Sequence, residues 1–246
     1  MSGAQTLENV LHLAPLRFAR ARSALGRLLY WHYRLFRARR RRDWMLERFG
    51  SAPLLVSPQV LHPRLMRSGV FFADAIPAFV PAGAEVLDMG TGSGICALAA
   101  AARARCVTAV DINPAAAHCA RINVLLNRLD DRVQVLQGDL FAPVHGERFD
   151  VVLFNPPFKA GAPRDEADRA WRAGDVAERF AAGLRAHLAP AGFALVVLST
   201  YGEGGAYLRQ FQRQNLAVEL LTQRRFVNER LSLLRVRPVP HRAAGS

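Results

Sequence analysis

Five short runs rich in β-branched and other apolar residues, Glu85–Met89, Cys106–Asp111, 132–136, Phe149–Phe154 and 193–198, alternate with alanine-rich or amphipathic stretches near 94–103, 114–128 and 174–188. Strands separated by helices of this length cover both faces of a sheet, so the alternation predicts an α/β fold built on a parallel sheet. A further helix is expected near 205–214. The runs 217–222 and 231–236 then stand close enough in sequence to pair as a terminal antiparallel hairpin. Upstream, residues 68–80 (SGVFFADAIPAFV) predict a helix leading into the core.

The N-terminal segment has a different character. Residues 1–50 carry 11 Arg against Glu8, Asp43 and Glu47, a net charge of +8, out of +13 for the whole chain. Residues 7–49 read as one or two basic amphipathic helices, with Leu25, Leu28, Leu29, Leu35 and Phe36 as the apolar stripe and residues 37–42 as a nearly unbroken charge run. The stripe is expected to dock on the main domain. The basic face suits nucleic acid, a ribosome or an anionic membrane surface, although 32 of the 33 basic residues are Arg, a skew that genome-wide codon bias also produces. Residues 51–63, with Pro53, Pro58 and Pro63, read as an extended linker. Cys96, Cys106 and Cys119 are odd in number and form no CxxC pair, so neither a disulfide framework nor a metal site is expected, and a reducing cytoplasm fits. No apolar run has the length of a membrane span, and the N-terminus lacks a signal peptide's apolar region.

The chemistry concentrates at the carboxyl ends of the expected strands. Residues 86–94 read Val-Leu-Asp-Met-Gly-Thr-Gly-Ser-Gly, placed between a strand and a helix. Glycines there permit a tight turn and close backbone approach to a ligand. Such a loop fits NAD, FAD or S-adenosylmethionine (SAM). The Asp-x-Gly-x-Gly-x-Gly order of Asp88, Gly90, Gly92 and Gly94, offset from the dinucleotide G-x-G-x-x-G, favours SAM, with Thr91 inside the turn. Asp111 ends the second strand, where a carboxylate can accept hydrogen bonds from both ribose hydroxyls, and Ile112 follows it. After the third strand, Gly138, Asp139 and Leu140 are placed to line a base pocket, Asp139 receiving an adenine amino group.

The fourth strand delivers Asn155-Pro156-Pro157-Phe158. An amide or aromatic amine nitrogen is planar, with a delocalised lone pair, and attacks a sulfonium methyl poorly. The Asn155 side-chain oxygen and the Pro156 carbonyl can each accept one N–H from an NH2 group, orienting it and favouring pyramidalisation. The two prolines stiffen the loop, and Phe158 can stack on a planar acceptor. No general base is demanded, because the proton leaves easily once the nitrogen is cationic.

With these residues in hand, the chain resembles the class I SAM-dependent methyltransferases, and within them the HemK-type glutamine N5-methyltransferases and the related methyltransferase small domains, over roughly residues 54–237. Residues 88–94 match the family's SAM loop, Asp111-Ile112-Asn113-Pro114 its ribose-binding turn, Gly138-Asp139-Leu140-Phe141 its adenine-side segment and Asn155-Pro156-Pro157 its substrate-amide motif. Leu61-His62-Pro63-Arg64 is similar to an Ile-Pro-Arg segment that packs over cofactor and substrate, and Ala170-Trp171-Arg172-Ala173-Gly174 to a later Gly-containing segment.

The resemblance implies a Rossmann-like seven-stranded sheet with the last strand antiparallel, and a division into a basic extension (1–50), a methyltransferase domain (51–240) and a tail (241–246). Two departures bear on the substrate. Phe158 stands where the glutamine enzymes carry Tyr; Phe is common there in guanine N2-methyltransferases of ribosomal RNA. Leu65-Met66-Arg67-Ser68 replaces a Pro-Glu-Thr-type continuation, which leaves a SAM-carboxylate contact to Ser68. The expected activity is N-methylation of a planar nitrogen: first a protein glutamine amide of the release-factor kind, second an exocyclic amine of a base in rRNA or tRNA, third a small-molecule amine. A non-catalytic SAM-binding or RNA-binding module is the reading from another class.

Overall fold

The computed structural model describes residues 43–63, 67–157, 175–200, 202, 204–226 and 229–239. The basic helices expected before residue 43, Phe158 and the 170–174 segment lie outside the described residues.

The seven-stranded sheet has the strand order β5-β4-β3-β6-β7-β9-β8. Its strands are β3 (Glu85–Met89), β4 (Cys106–Asp111), β5 (Val133–Gln137), β6 (Phe149–Phe154), β7 (Leu188–Ser199), β8 (Leu216–Arg225) and β9 (Arg230–Pro238). Strands β3 to β7 pair in parallel, while β9 runs antiparallel to both β7 and β8. The expected class, including the antiparallel last strand and the terminal hairpin, is the observed one. Helices α1 (Ser68–Phe79), α2 (Ile95–Ala101), α3 (Pro114–Leu126), α4 (Val176–Leu184) and α5 (Gly204–Arg213) make the connections. Two apolar layers result: Phe72, Ile76 and Ala97 pack on one face of the sheet, and Phe180, Leu184 and Phe211 on the other. Among the described residues no helix is long and apolar enough to cross a membrane.

Two boundaries differ from expectation for physical reasons. Strand β7 begins at Leu188 rather than at 193, because Leu188 pairs with Phe149 and the register shifts before Val151 pairs with Phe193. Gly192 lies at that irregularity, where a Cβ would meet the Phe149 carbonyl oxygen at 2.7 Å. The expected helix 174–188 therefore stops at Leu184, followed by a single 3-10 turn.

The larger correction concerns residues 45–63. Met45–Phe49 is strand β1 rather than the end of a helix, and Ala52–Val56 is strand β2 rather than linker. They pair antiparallel across a two-residue turn, with Gly50 at φ +56°, a left-handed value that glycine adopts without strain. Burial alternates along Met-Leu-Glu-Arg-Phe but polarity does not, because Leu46 is 69% exposed and Glu47 turns inward, so the residue types carry no strand pattern. The hairpin thus spans the position 50/51 at which the sequence places a domain boundary.

This hairpin is fastened to the main domain by the buried Leu54 and Val56, by Asn127 and Cys119, which donate to the Pro53 and Leu55 carbonyls, and above all by Asn123. Asn123, on α3, accepts the Leu55 N–H through Oδ1 at 2.6 Å and donates through Nδ2 to the Leu55 carbonyl at 2.7 Å and the Ser93 carbonyl at 2.8 Å. One residue therefore ties β2, α3 and the glycine loop together. Asn123→Ala leaves those buried backbone groups without partners. It should cost about 3 kcal/mol and lower the melting temperature by roughly 6–12 °C. Urea denaturation of the two proteins measures this, and unchanged stability would remove the fastening role.

Candidate functional site

The sheet order reverses at β3, which has β4 on one side and β6 on the other. Ligands of open α/β sheets bind at such a switch point, outside the strands' carboxyl ends. Met89 pairs with Phe154, so the glycine loop and Asn155 emerge side by side. Asp111 pairs with Gln137, so the turns after β4 and β5 open on the same edge.

The glycine loop is folded back onto β4. The Gly90 and Thr91 N–H groups both donate to the Val110 carbonyl, at 2.8 and 3.0 Å. Gly90, Gly92 and Gly94 have φ of +68°, +58° and +84°. A Cβ on Gly90 meets nothing within 4 Å, so the turn borders open space, whereas a Cβ on Gly94 would press on Ala120 at 3.3 Å. The first glycine keeps room for a ligand; the third permits close helix packing. Asp111 accepts from the Gly92 N–H through Oδ2 at 2.8 Å and from the Asn113 N–H through Oδ1 at 2.9 Å, joining the two turns. Each carboxylate oxygen retains a lone pair for a hydroxyl donor. Burial raises the Asp111 pKa above the usual carboxylate value, and the two backbone donors oppose that rise. Ile112 is 39% exposed, an apolar surface beside these acceptors. Asn113 caps α3, its Oδ1 accepting the Ala115 N–H at 2.9 Å.

Beneath the loop, Asp88 is 3% exposed and accepts the Thr91 hydroxyl at 2.6 Å. Burial pushes its carboxyl up to about 7; the Thr91 hydroxyl and the Ala97 backbone pull the other way, and the Asp111 charge adds to the rise.

On the β5 side, the Gly138 N–H donates to the Asp111 carbonyl at 2.9 Å, and a Cβ there would collide with Pro143 at 2.6 Å. Leu140 has φ +48°. Asp139 is half-exposed and held by Arg179 of α4 at 2.6 Å; Arg179 also bonds Asp175 at 2.8 Å. The Asp139 hydrogen bond is the main reason the Arg179 pKa is raised. Helix α4 is anchored at this turn by Phe141, stacked on Phe180 and on His187 with ring centroids 5.6 and 4.3 Å apart. Arg179 has no signature in the sequence: its pairing with Asp139 depends on this long-range packing.

At the end of β6, Asn155 donates from Nδ2 to the Ser68 Oγ at 3.3 Å. Its Oδ1 is buried and has no hydrogen-bond partner among the described residues. Buried carbonyl oxygens are seldom left so, and this one stands beside the glycine loop. Pro156 is buried and Pro157 half-buried. Ser68, expected to meet a cofactor carboxylate, accepts from the Asn155 amide; it is 1% exposed at the start of α1. The segment before α1 covers the loop. Val60 Cγ1 lies 4.0 Å from a Cβ built on Gly92, Pro63 packs on Gly69, and His62 Nε2 lies 3.5 Å from Glu47 Oε1 of β1.

The Asp88 shift has a consequence for folding. The unfolded chain releases this proton near pH 4, whereas the folded chain holds it to about 7. Between those values folding takes up a proton, so the stability contributed here falls as pH rises through that window and is level above it. Asp88→Asn should therefore lose less stability than the parent between about pH 4.5 and 7. Denaturation series at several pH values would show this, and parallel curves for the two proteins would refute it.

Comparisons with known proteins agree with this architecture. Residues 68–222 match the methyltransferase small domain family. The chain is 42% identical over 85 residues to a ribosomal protein L11 methyltransferase of Carboxydothermus hydrogenoformans, a match covering 33% of this chain and 27% of that protein. It is 33% identical over 168 residues to a release factor glutamine methyltransferase of Koribacter versatilis, covering 61% of this chain and 59% of the relative. The matches thus span between about a quarter and three-fifths of these relatives' lengths. Among solved structures, a T. thermophilus 16S rRNA N2 methyltransferase in complex with AdoMet and guanosine superposes with a TM-score of 0.56 at 20% identity, over 80% of this chain and 50% of that one. At that identity the likeness is one of fold. The family match covers more than half of the sequence, and it coincides with the sheet, the glycine loop and the Asn-Pro-Pro turn: this chain belongs to the methyltransferase small domain family.

Proposed function

We propose that this chain transfers a methyl group from S-adenosylmethionine to the NH2 nitrogen of a planar amide or aromatic amine. The observation that carries the reading is the buried Asn155 Oδ1, an acceptor without a partner among the described residues, set beside a glycine loop that borders open space. When bound, the cofactor supplies an electrophilic methyl carbon on a sulfonium. The turn formed by Asp88, Gly90, Thr91, Gly92 and Gly94 is the cradle for it. Asp111 would accept the ribose hydroxyls, Ile112 and Leu140 would flank the base, and Gly138 and Asp139 would line its amino edge, with Arg179 fixing the Asp139 carboxylate.

Asn155 Oδ1 and the Pro156 carbonyl would take the two N–H groups of the acceptor, turning the nitrogen lone pair toward the donor. Ser68 bonds the amino end of the Asn155 amide, so the carbonyl end is the one presented. The prolines keep the turn from rearranging, and Phe158 is assigned the acceptor's ring or amide plane. Transfer would break the methyl carbon's bond to sulfur, which keeps the electron pair, as the C–N bond forms; the acceptor nitrogen held by Asn155 would become cationic and release its proton to water. A protein glutamine side-chain amide is the first acceptor on this reading, supported by the similarity to a release factor glutamine methyltransferase. An exocyclic amine of an RNA base is the second, favoured by the arginines along one side of the site. Cys96, Cys106 and Cys119 are free thiols, and a reducing cytoplasm suits them.

Asn155→Ala should lower kcat by roughly 100-fold or more while SAM affinity, measured by calorimetry, stays near that of the parent. Ser68→Ala should lower kcat by about 10-fold with a smaller change in KM; unchanged turnover in both variants would end the amide-orienting mechanism. Asp111→Ala should instead weaken SAM binding, and an unaltered calorimetric affinity would discredit the ribose assignment. The acceptor class can be read by incubating the protein with radiolabelled SAM and cell extract. Label that protease releases and RNase spares identifies the amide, and the reverse identifies the base.

A further inference from the structure

Next to Asn155 the carboxyl edge of the sheet is lined by positive charge that the glycine loop and the Asn-Pro-Pro turn do not use. Arg67 directly precedes the Ser68 that bonds Asn155. Its guanidinium lies 4.8 Å from the centroid of Phe226, just past the end of β8, and Arg224 covers the same ring at 5.6 Å. Arg225 and Arg230 face each other directly across the β8–β9 ladder. Like charges in directly opposed positions of an antiparallel pair repel, so this placement is unfavourable in the isolated protein. The tip is closed by the Phe226 N–H donating to the Glu229 carbonyl at 2.7 Å, and Thr200, beyond β7, is joined to Arg230. Glu229 is the one acid described at this tip. Its carboxylate already accepts the Ser199 hydroxyl at 2.6 Å and feels the charge of Arg67. Two guanidinium groups thus lie on a half-buried aromatic ring and two more stand opposed one residue further along the hairpin, with a single carboxylate described among them.

We propose that Arg67 and Arg224 on Phe226, together with the opposed Arg225 and Arg230 at the same hairpin tip, form a surface that grips the phosphate backbone of a single-stranded RNA segment presented to the Asn155 turn. Three features favour RNA over an acidic peptide. A guanidinium laid flat on an aromatic ring keeps its hydrogen-bonding edge free for a phosphate's oxygens. A strand of RNA carries a phosphate on each side of every base, so a base brought to Asn155 places negative charge along this rim; a peptide bearing a glutamine has no such obligatory charge. Binding the polyanion also relieves the Arg225–Arg230 repulsion. The surface rests on the methyl-transfer reading for its purpose, but its existence can be tested without turnover.

The test uses the full chain and a short fluorescein-labelled single-stranded RNA, followed by anisotropy between about 50 and 200 mM salt. An Arg224→Ala, Arg225→Ala, Arg230→Ala triple variant should weaken binding and lower the slope of log affinity against log salt by about 2, from three lost contacts at ~0.7 each on a single strand. The basic N-terminal residues are present in both proteins, so the difference in slope belongs to the rim. Arg105→Ala is the control: Arg105 sits at the opposite edge of the sheet, next to the start of β4, and pairs with Glu85. Equal slopes for the triple variant and this control would overturn the proposal, as would a poly-glutamate peptide that competes as strongly as unlabelled RNA. Circular dichroism and SAM affinity of the triple variant, unchanged from the parent, exclude misfolding as the cause. Asn155→Ala should bind the RNA as the parent does while failing to transfer methyl. RNA binding that depends on these arginines in a parent protein that transfers no methyl group would sink the methyl-transfer reading and leave the rim standing.

Discussion

The turn after β3 is held in place from three directions, and the site depends on that restraint. Two N–H groups at its start bond the Val110 carbonyl, the Gly92 N–H bonds Asp111, and the Ser93 carbonyl receives Asn123. The bonds reach three groups on two neighbours: the Val110 carbonyl and the Asp111 carboxylate at the end of β4, and the Asn123 amide on α3. Three glycines at positive φ make such a path open to the backbone, but permissive residues cost conformational entropy when fixed. The bonds to β4 and α3 offset that cost. Through Asn123 the restraint extends to Leu55, so the β1–β2 hairpin, remote in sequence, is mechanically part of the loop.

On the acceptor side the logic is the opposite. In the glycine loop the Gly90, Thr91, Gly92 and Gly94 N–H groups are all bonded, whereas Asn155 keeps a buried oxygen without a partner among the described residues. Leaving such an atom without a partner costs about 1–3 kcal/mol, and a soft loop would relax to remove the cost. This one is constrained by Pro156 and Pro157 along the chain and by Ser68 across the fold. The unpaired oxygen is therefore best understood as a binding capacity maintained by the surrounding rigidity. It stands one strand away from the glycine loop because Met89 and Phe154 are in register.

Much of this was legible in the sequence, and the exceptions share a cause. The strands β3, β4 and β6 fall at the expected residues because each is a continuous apolar run buried on both faces, a pattern that few other environments produce. The three turns at their ends were readable because glycine, aspartate and proline act there through their own local chemistry. Strands β1 and β2 were missed: along β1 burial alternates but polarity does not, and the hairpin's burial comes from α3, far along the chain. The Ser68–Asn155 and Arg179–Asp139 pairs were unseen for a similar reason. Their members lie 87 and 40 residues apart, so only the folded topology brings them together at the site. Long-range side-chain pairs of this kind have no spacing that a linear reading can detect.

The distribution of charge along the carboxyl edge ties the two halves of the site together. Asp88, Asp111 and Asp139 stand after or within β3, β4 and β5, on one side of the switch point. Arg67, Arg224, Arg225 and Arg230 gather around the ends of β7, β8 and β9 on the other. The neutral Asn155-Pro156-Pro157 turn, at the end of β6, falls between them. A cationic donor is favoured over the acidic half, where hydroxyl and amino groups also find acceptors, and an anionic carrier over the basic half. Neither ligand gains by entering the other's ground, since like charges there repel at short range and low dielectric. On the proposed reading, each ligand would be steered to its own side. A reacting methyl carbon and an acceptor nitrogen would then meet at the uncharged boundary, where an amide oxygen can hold N–H groups without trapping the proton that must leave.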